Sequence, residues 1–349
     1  MDGTDRSTLL RDLWYVALPG RKLKPGKMVA KTMLGEPVVV ARRQDGSVFA
    51  LRDLCPHRGV PLSFGRVVDG EVECPYHGWR FDGGGRCTLI PSLVADQDMD
   101  AGRVGVRAYP CREVQGNIWV FIPAGSDLPD PLPPIVELPG IGEASPRLVE
   151  SMTFDCAMDH AVIGLMDPAH GPFVHRSWFW RSRRSIHEKA KSFGPSELGF
   201  RMIRHAPSKN ARAYRILGGA VSTEIAFRLP GLRLEHVEAG RHTLCGLTAL
   251  TPVDERTTEV HHAIYWTMPW LSPLIPAVRR IARTFLGQDR SMVEMQAKGL
   301  AFDPPLMLIN DADVQAKWYF RLKKEFVASR VEQRDFVNPV KERVLRWRS

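Results

Sequence analysis

Two short stretches decide how this chain can fold: Cys55-Pro56-His57-Arg58-Gly59 and Cys74-Pro75-Tyr76-His77-Gly78-Trp79. Each supplies one thiol and one imidazole, in the order Cys-x-His, sixteen residues, then Cys-x-x-His. A proline after each cysteine stiffens the backbone, and a glycine one or two residues after each histidine allows a sharp turn. The pattern predicts two tight loops, each of which presents one Cys/His pair.

Four such side chains are more typical of a metal site than of disulfides in a chain with so few cysteines. Two thiolates can hold one iron of a [2Fe–2S] cluster while two imidazoles hold the other, which is the Rieske arrangement. The alternative is a structural zinc ion bound by two cysteines and two histidines. Zinc fingers usually have two cysteines in one short motif and two histidines in the other, whereas each of the two motifs here contains one cysteine and one histidine. The mixed boxes favour the cluster, with Cys55, His57, Cys74 and His77 as its ligands.

The composition around these boxes is that of an ordinary globular protein. The chain has 349 residues, of which 44% are hydrophobic and 25% charged, and its formal net charge is +9. A chain of this length suggests roughly two domains and buries about three quarters of its unfolded surface. These values exclude a disordered or collagen-like chain, and six cysteines are too sparse for a disulfide scaffold.

The sequence gives no sign of export or of a membrane span. Its first residues, Met1-Asp2-Gly3-Thr4-Asp5-Arg6, lack the basic start and apolar run of a signal peptide. The most apolar later stretch, residues 264–278, is broken by three prolines and is too short to cross a bilayer. We therefore expect a cytoplasmic protein that does not bind membranes.

The proline-dense stretch 123–134 predicts a domain boundary, because proline there opposes both helix and central strand. The preceding part is rich in short apolar runs that end with a strand over Asn117–Ile122. We expect one domain over residues 1–130 and a second over residues 131–349. In the second domain, periodicity predicts strands over 224–229, 232–237, 242–250 and 260–267. It predicts helices over 156–169, 277–298 and 311–327. The predicted fold class is therefore α+β.

A second group of candidate ligands lies in Asp167-Pro168-Ala169-His170-Gly171-Pro172-Phe173-Val174-His175. Two histidines five residues apart are by themselves a weak signal, since buried and hydrogen-bonded histidines are common. Beside a Rieske-type box the signal is stronger. Two histidines and one carboxylate form the ligand set of ferrous sites that leave coordination positions open for O2.

Together, the two motifs make the chain resemble the Rieske non-haem iron oxygenases, in particular the oxygenase (alpha) components of the vanillate and dicamba O-demethylase branch. The resemblance runs from Leu13-Trp14-Tyr15-Val16-Ala17 to the C-terminal helices. It implies an all-β Rieske domain followed by a helix-grip catalytic domain, an antiparallel sheet with helices. It also implies two cofactors, one Rieske [2Fe–2S] cluster and one mononuclear Fe(II).

The resemblance implies His170 and His175 as iron ligands and places the carboxylate ligand in the stretch 287–294, at Asp289. This stretch departs from the family pattern at Gln288, where an acid is usual, and at Arg290, where lysine is usual. Neither departure would remove a ligand. The competing acids are Asp303, which precedes two prolines, and Asp311 and Asp313, which suit the capping of the last helix.

Asp167 is the candidate catalytic residue besides the ligands. It lies three residues before His170, so on a helix its carboxylate could accept the free N–H of that ring. In the family this aspartate links the iron site to a Rieske histidine of a neighbouring subunit, here His77 or else His57. The alternative is an aspartate at the helix end that caps the following loop.

Relatives often carry asparagine three residues before this aspartate, where this chain has Gly164. His160, one turn earlier, could take over its role or be an ordinary hydrogen-bonded histidine. Trp178, Phe179 and Trp180 could cover the active site or belong to the core. Some members of an apolar set on or beside the strands should line the substrate cavity: Phe227, Leu229, Leu244, Leu247, Tyr265, Trp266 and Met268.

The function implied by the resemblance is that of a terminal oxygenase. It would use O2 and electrons from an NAD(P)H-dependent reductase, a ferredoxin or both to hydroxylate a small aromatic compound, with demethylation as one outcome. A homotrimer is implied, and the net charge of +9 suits an acidic redox partner. One alternative is cis-dihydroxylation of an aromatic ring, and another is an electron-transfer protein that uses the cluster alone. No motif supports nucleic-acid binding.

Overall fold

The computed structural model describes residues 9–94, 96, 97, 99–175, 183–207, 217 and 220–349. These residues divide into two compact units, one over Arg11–Glu137 and a larger one that contains Leu138–Ser349. The boundary predicted from the proline-dense stretch, between residues 130 and 131, lies a few residues before this division and stays a prediction.

The described part of the smaller unit is built from β-strands in three antiparallel sheets. In chain order its strands are β1 (Leu13–Pro19), β2 (Met28–Met33), β3 (Glu36–Arg42), β4 (Val48–Arg52), β5 (Arg66–Val68), β6 (Glu71–Glu73), β7 (Arg80–Phe81), β8 (Cys87–Leu89), β9 (Ala108–Tyr109), β10 (Cys111–Val114) and β11 (Asn117–Ile122). The sheet orders are β1-β11-β10, β2-β3-β4-β9 and β5-β6-β7-β8. The strand predicted over Asn117–Ile122 is present with those bounds.

The two Cys/His boxes lie on connections of this unit that share one core. The first box follows β4, and the second lies between β6 and β7. Both cysteines pack into a cluster of buried residues that includes Leu51, Val72 and Phe81. The buried side chains of the strands thus anchor both loops through their cysteines.

The larger unit contains one antiparallel sheet with helices. Its elements are β12 (Leu148–Phe154), α1 (Met158–Met166), α2 (Gly171–Val174), β13 (Glu188–Ser196), β14 (Gly199–His205), β15 (Val221–Arg228), β16 (Leu232–Ala239), β17 (His242–Pro252), β18 (Thr258–Trp266), α3 (Ile275–Leu300), α4 (Val314–Val331) and β19 (Arg343–Arg348). The sheet has eight strands among the described residues, in the order β12-β18-β17-β16-β15-β14-β13-β19. The predicted fold class, an all-β domain followed by an antiparallel sheet with helices, is confirmed.

The helix predicted over residues 156–169 is shorter than expected. It ends at Met166, and Asp167 has an extended backbone with φ −64° and ψ 118°. Pro168 explains this end, because a residue before proline is sterically driven out of the helical conformation. Within the described residues, no helix has both the length and the apolar character needed to cross a bilayer.

Candidate metal centres

The two Cys/His loops have almost the same backbone. The N–H of Cys55 donates to the carbonyl of Val60, and that of Gly59 donates back to the carbonyl of Cys55, at 2.9 and 2.8 Å. In the second loop the N–H of Cys74 donates to the carbonyl of Trp79 at 2.8 Å, and the N–H of Gly78 donates to the carbonyl of Cys74 at 3.1 Å. Both glycines have φ +70°, the left-handed region in which a side chain would be strained. The repeated loop explains why each cysteine is followed by glycine at the fourth position.

The four candidate cluster ligands come together in an inner and an outer pair. Cys55 and Cys74 are buried, with side chains within hydrogen-bonding distance of each other, and burial raises the pKa of the Cys55 thiol to about 11. His57 and His77 are exposed, and their ring centroids are 4.6 Å apart. The ring of His57 also stacks on Trp79 at 4.7 Å, with planes only 4° apart.

This arrangement suits a Rieske cluster. Two adjacent thiols on the inside and two adjacent imidazoles on the outside match a pair of irons that need different ligands. A raised thiol pKa disfavours the thiolate unless positive charge lies beside it, and iron supplies that charge. The residues present therefore fit the cluster that the sequence predicts.

The second centre is assembled from α1, α2 and α3. His170 and His175 flank the single turn of α2, where Pro172 suits the beginning of a helix. Asp289 lies near the middle of α3, more than a hundred residues later in the chain. His175 is buried, and the other two side chains are partly buried.

Three potential ligand atoms converge in this centre. The Nε2 atoms of His170 and His175 are 3.0 Å apart, and Oδ1 of Asp289 lies 3.6 and 3.1 Å from them, respectively. One ligand atom from each residue lies within 4.8 Å of the others. The structure thus brings together the three residues that the resemblance implies as iron ligands.

The hydrogen bonds on the far side of each ring show which form these histidines take. Nδ1 of His170 lies 2.7 Å from the backbone carbonyl of Asp167, which can only accept, so Nδ1 carries the hydrogen. Nδ1 of His175 faces Oε1 of Gln288 at 3.0 Å, so it too donates. Both Nε2 atoms then point lone pairs toward the Asp289 carboxylate.

Two lone pairs and an anionic oxygen this close repel one another, and a cation between them removes the repulsion. Burial also lowers the pKa of His170, which keeps the ring in the neutral form that binds metals. The donor set, two imidazoles and one carboxylate, is that of non-haem ferrous sites. The centre therefore fits the mononuclear iron.

Asp167 does not contact His170 in the expected way. Its backbone carbonyl, not its carboxylate, accepts the histidine N–H, and the nearest carboxylate oxygen is 3.7 Å from Nδ1. The carboxylate instead accepts from the backbone N–H of Ala169 at 2.7 Å. The expected contact required both residues on one helical face, but the helix ends before Asp167. The alternative of a helix-end aspartate that caps the following loop describes this contact, and burial raises the pKa of the carboxyl.

The competing acids make other contacts. Asp311 pairs with Arg343 at 2.6 Å, and Asp313 accepts from the backbone N–H of Ile309 at 2.7 Å. Asp313 occupies the N-cap position of α4, where its negative charge suits the positive end of the helix dipole, although its side chain makes no capping hydrogen bond. Among the described acids, Asp289 is the one grouped with both histidines.

A mainly apolar cavity of about 290 Å³ adjoins the three-residue centre. Its lining includes His170, Asp167 and Asp289 together with residues of α1, α2, α3 and the sheet: Phe154, Ala161, Gly164, Leu165, Val174, Leu250, Val260, Leu286, Met292, Val293 and Gln296. Gly164 leaves part of this space open, since a Cβ atom there would lie 3.1 Å from a methyl group of Val293. His160 does not line the cavity, and its replacement of an asparagine stays a prediction.

The residues expected at the cavity wall are not the ones found there. None of the seven apolar residues named from the strands lines this cavity, and six of them are buried in the core: Phe227, Leu229, Leu247, Tyr265, Trp266 and Met268. Alternation along a strand shows that two faces exist, but it does not show which face meets the helices. Trp178, Phe179 and Trp180 lie outside the described residues.

Two family models match the chain in succession. Residues 13–110 match the Rieske [2Fe–2S] domain, and residues 154–323 match the vanillate O-demethylase oxygenase C-terminal domain. The first match contains both Cys/His loops, and the second contains the three-residue centre.

Curated relatives match about half of the chain. Chlorophyllide a oxygenase of Chlamydomonas reinhardtii is 41% identical over 175 residues, which are 49% of this chain and 25% of that protein. The oxygenase component of dicamba O-demethylase from Stenotrophomonas maltophilia is 37% identical over 174 residues, 49% of either chain. The matches thus span a quarter to a half of these relatives.

A solved structure extends the likeness to nearly the whole chain. Dicamba monooxygenase bound to dicamba aligns with 94% of this chain and 99% of its own, with a TM-score of 0.71. At 24% identity this likeness shows a common fold. With a Rieske domain and a vanillate O-demethylase-type oxygenase domain in one chain of this fold, the protein belongs to the Rieske non-haem iron oxygenases.

Proposed function

We propose that the protein is the terminal oxygenase component of a multicomponent system and hydroxylates a small aromatic compound with O2 and reductase-derived electrons. Where the hydroxylated carbon is a methoxy carbon, the product loses formaldehyde and becomes a phenol. The observation that carries the proposal is the convergence of His170, His175 and Asp289 at an apolar cavity. The likeness to the dicamba O-demethylase component supports demethylation as the outcome.

The proposal gives each group of side chains a role. Cys55, His57, Cys74 and His77 would hold the [2Fe–2S] cluster, and His170, His175 and Asp289 would hold the ferrous ion. When bound, the cluster supplies single electrons and the ferrous ion supplies a site where O2 is activated.

The cavity would position the substrate and exclude water from it. Its wall between α1, α3 and the sheet is formed largely by Leu, Val, Met and Phe side chains. An apolar wall favours an aromatic ring and leaves the reactive carbon beside the ligand atoms. The volume of about 290 Å³ is enough for a small ring compound.

The proposal also includes an assembly and a redox partner. In a homotrimer, Asp167 of one subunit would connect its iron centre to His77 of a neighbouring subunit. An NAD(P)H-dependent reductase, a ferredoxin or both would supply the electrons, and the net charge of +9 favours an acidic partner. The six cysteines form no disulfide, which supports a reducing compartment such as the cytoplasm.

Turnover with isotopically labelled O2 tests the proposed function. The reconstituted protein, with a surrogate reductase, would be given a panel of methoxylated and unsubstituted aromatic compounds, and products read by mass spectrometry. We expect formaldehyde and a phenol from a methoxylated member. His175→Ala serves as the control, because it should keep the visible absorption of the cluster and lose turnover.

Other outcomes would change the proposal in defined ways. Two labelled oxygens on one ring would replace hydroxylation by cis-dihydroxylation. If the protein carried metal at both centres and still formed no product, the proposal of an aromatic substrate would be wrong. If iron were present only in the cluster, the electron-transfer alternative would replace the oxygenase.

A further inference from the structure

One side chain beside the proposed iron centre has no role in the assignments above. Oε1 of Gln288 lies 3.0 Å from Nδ1 of His175, on the ring edge opposite the nitrogen that faces Asp289. Gln288 immediately precedes Asp289 in α3. One helix thus supplies both a ligand and a hydrogen-bond acceptor for another ligand.

The same helix also contacts the face of the histidine ring. Phe285, three residues before Gln288, stacks on His175 with ring centroids 4.7 Å apart and planes at 28°. A stacked ring limits tilting, and a hydrogen bond at Nδ1 limits rotation within the ring plane. The two contacts together fix the direction in which Nε2 points.

The chemistry of the acceptor determines how much charge is added beside the ring. An amide oxygen accepts the Nδ1 hydrogen but neither takes the proton nor carries negative charge. Asp289 already contributes one carboxylate to the centre. Gln288 therefore adds no second negative charge beside His175, where a glutamate would add one and make the ring a stronger electron donor.

We propose that Gln288 is a positioning residue that holds His175 in the tautomer whose Nε2 lone pair binds the mononuclear metal ion. The proposal rests on the proposed function, since it requires metal at this centre. Gln288 would act through His175 and would not bind the metal itself.

The test measures the affinity of the mononuclear centre for Fe(II), without turnover. The full-length protein with its cluster intact would compete anaerobically with a chromogenic ferrous chelator, while the visible absorption of the cluster reports on the other centre. Gln288→Leu removes the acceptor and keeps the side-chain size, and we expect the affinity to fall roughly 10- to 100-fold. Gln288→Glu restores an acceptor and should bind Fe(II) at least as tightly as the wild type.

A matched control lies two turns along the same helix. Gln296 also faces the cavity, and Gln296→Leu makes the same chemical change away from His175, so Fe(II) affinity should not change. The proposal is overturned if Gln288→Leu binds like the wild type, if Gln296→Leu weakens binding equally, or if Gln288→Glu fails to recover it. A wild-type protein that binds no Fe(II) beyond its cluster would overturn the proposed function instead.

Discussion

The two candidate metal centres are built in opposite ways. Each Cys/His loop is closed by hydrogen bonds within six consecutive residues, from Cys55 to Val60 and from Cys74 to Trp79. The iron centre instead joins His170 and His175, which flank one short helical turn, to Asp289 on a helix far along the chain. The geometry of the first centre is therefore largely local, whereas that of the second depends on how α1, α2 and α3 pack.

This difference has a consequence for how each centre responds to change. Mutations in the helices should disturb the iron centre and leave the Cys/His loops unaffected. Mutations in the loops should do the reverse. Substitutions in each centre test that separation.

Replacing Cys55 by alanine should remove the cluster entirely. Cys55 is buried beside Cys74, so its loss leaves one iron with Cys74 as its single protein ligand, in a site that water cannot easily fill. We expect the visible absorption of the cluster and all turnover to disappear, while the protein still binds Fe(II) at the second centre. Cys245→Ala, at a buried cysteine of the larger unit, is the control that should keep the absorption. A Cys55→Ala protein with normal absorption would show that the ligand is assigned wrongly.

Replacing Asp289 by alanine should remove the mononuclear iron alone. The change deletes the oxygen that lies 3.1 Å from Nε2 of His175, together with the negative charge that favours a cation. Metal analysis should show one iron fewer per chain with an unchanged cluster spectrum. Asp303→Ala should keep all the iron. If that variant lost the mononuclear iron instead, Asp303 would replace Asp289 as the assigned third ligand.

Replacing Asp167 by asparagine should slow the reaction without removing either metal. The amide oxygen can still accept from Ala169, so the loop is kept, but the carboxylate charge is lost. We expect turnover to fall roughly 10- to 100-fold, as is common for residues next to metal ligands. Rapid mixing of reduced protein with O2 and substrate would show slower oxidation of the cluster. Normal cluster oxidation would contradict the proposed link between subunits.

Replacing Asp159 by alanine should have a smaller effect, mainly on stability. Asp159 on α1 accepts from Tyr319 and Lys323 on α4, at 2.5 and 2.8 Å, and both partners of the ion pair are mostly buried. Leaving Lys323 without its partner should cost about 2 kcal/mol, less than for a fully buried pair.

Thermal unfolding would measure this loss, and a second Lys323→Met change should restore part of it. Because α1 ends next to Asp167, we also expect weaker Fe(II) binding in Asp159→Ala with an unchanged cluster spectrum. If Asp159→Ala weakened Fe(II) binding and cluster absorption equally, the two centres would not respond independently.

The predictions from sequence succeeded where the signal was local. The strand over Asn117–Ile122 and the α+β class follow from apolar runs and periodicity, and the structure has both. The long helix predicted over 277–298 is present as α3, with a few more residues at each end. The contact expected between the Asp167 carboxylate and His170 failed because a proline ended the helix earlier than the pattern indicated.

The cavity wall and the second contact of His175 could not be predicted in the same way. Leu250 and Val260 line the cavity only because their strands pair side by side and turn one face toward the helices. Gln288 differs from the acid usual at its position in the family, and no pattern of neighbouring residues connects it with a histidine more than a hundred residues earlier. Such contacts arise from helix and sheet packing.

The chemistry available to this protein can be read from neighbouring residues: two mixed Cys/His loops, two spaced histidines, a nearby aspartate and the order of its domains. Short-range hydrogen bonds and the conformational limits of proline and glycine make such features readable from neighbouring residues. Tertiary packing, by contrast, brings Asp289 to the two histidines, places Gln288 against one of them and leaves an apolar cavity beside them. These depend on contacts between segments far apart in the chain, which form when apolar faces of the helices and the sheet are buried together.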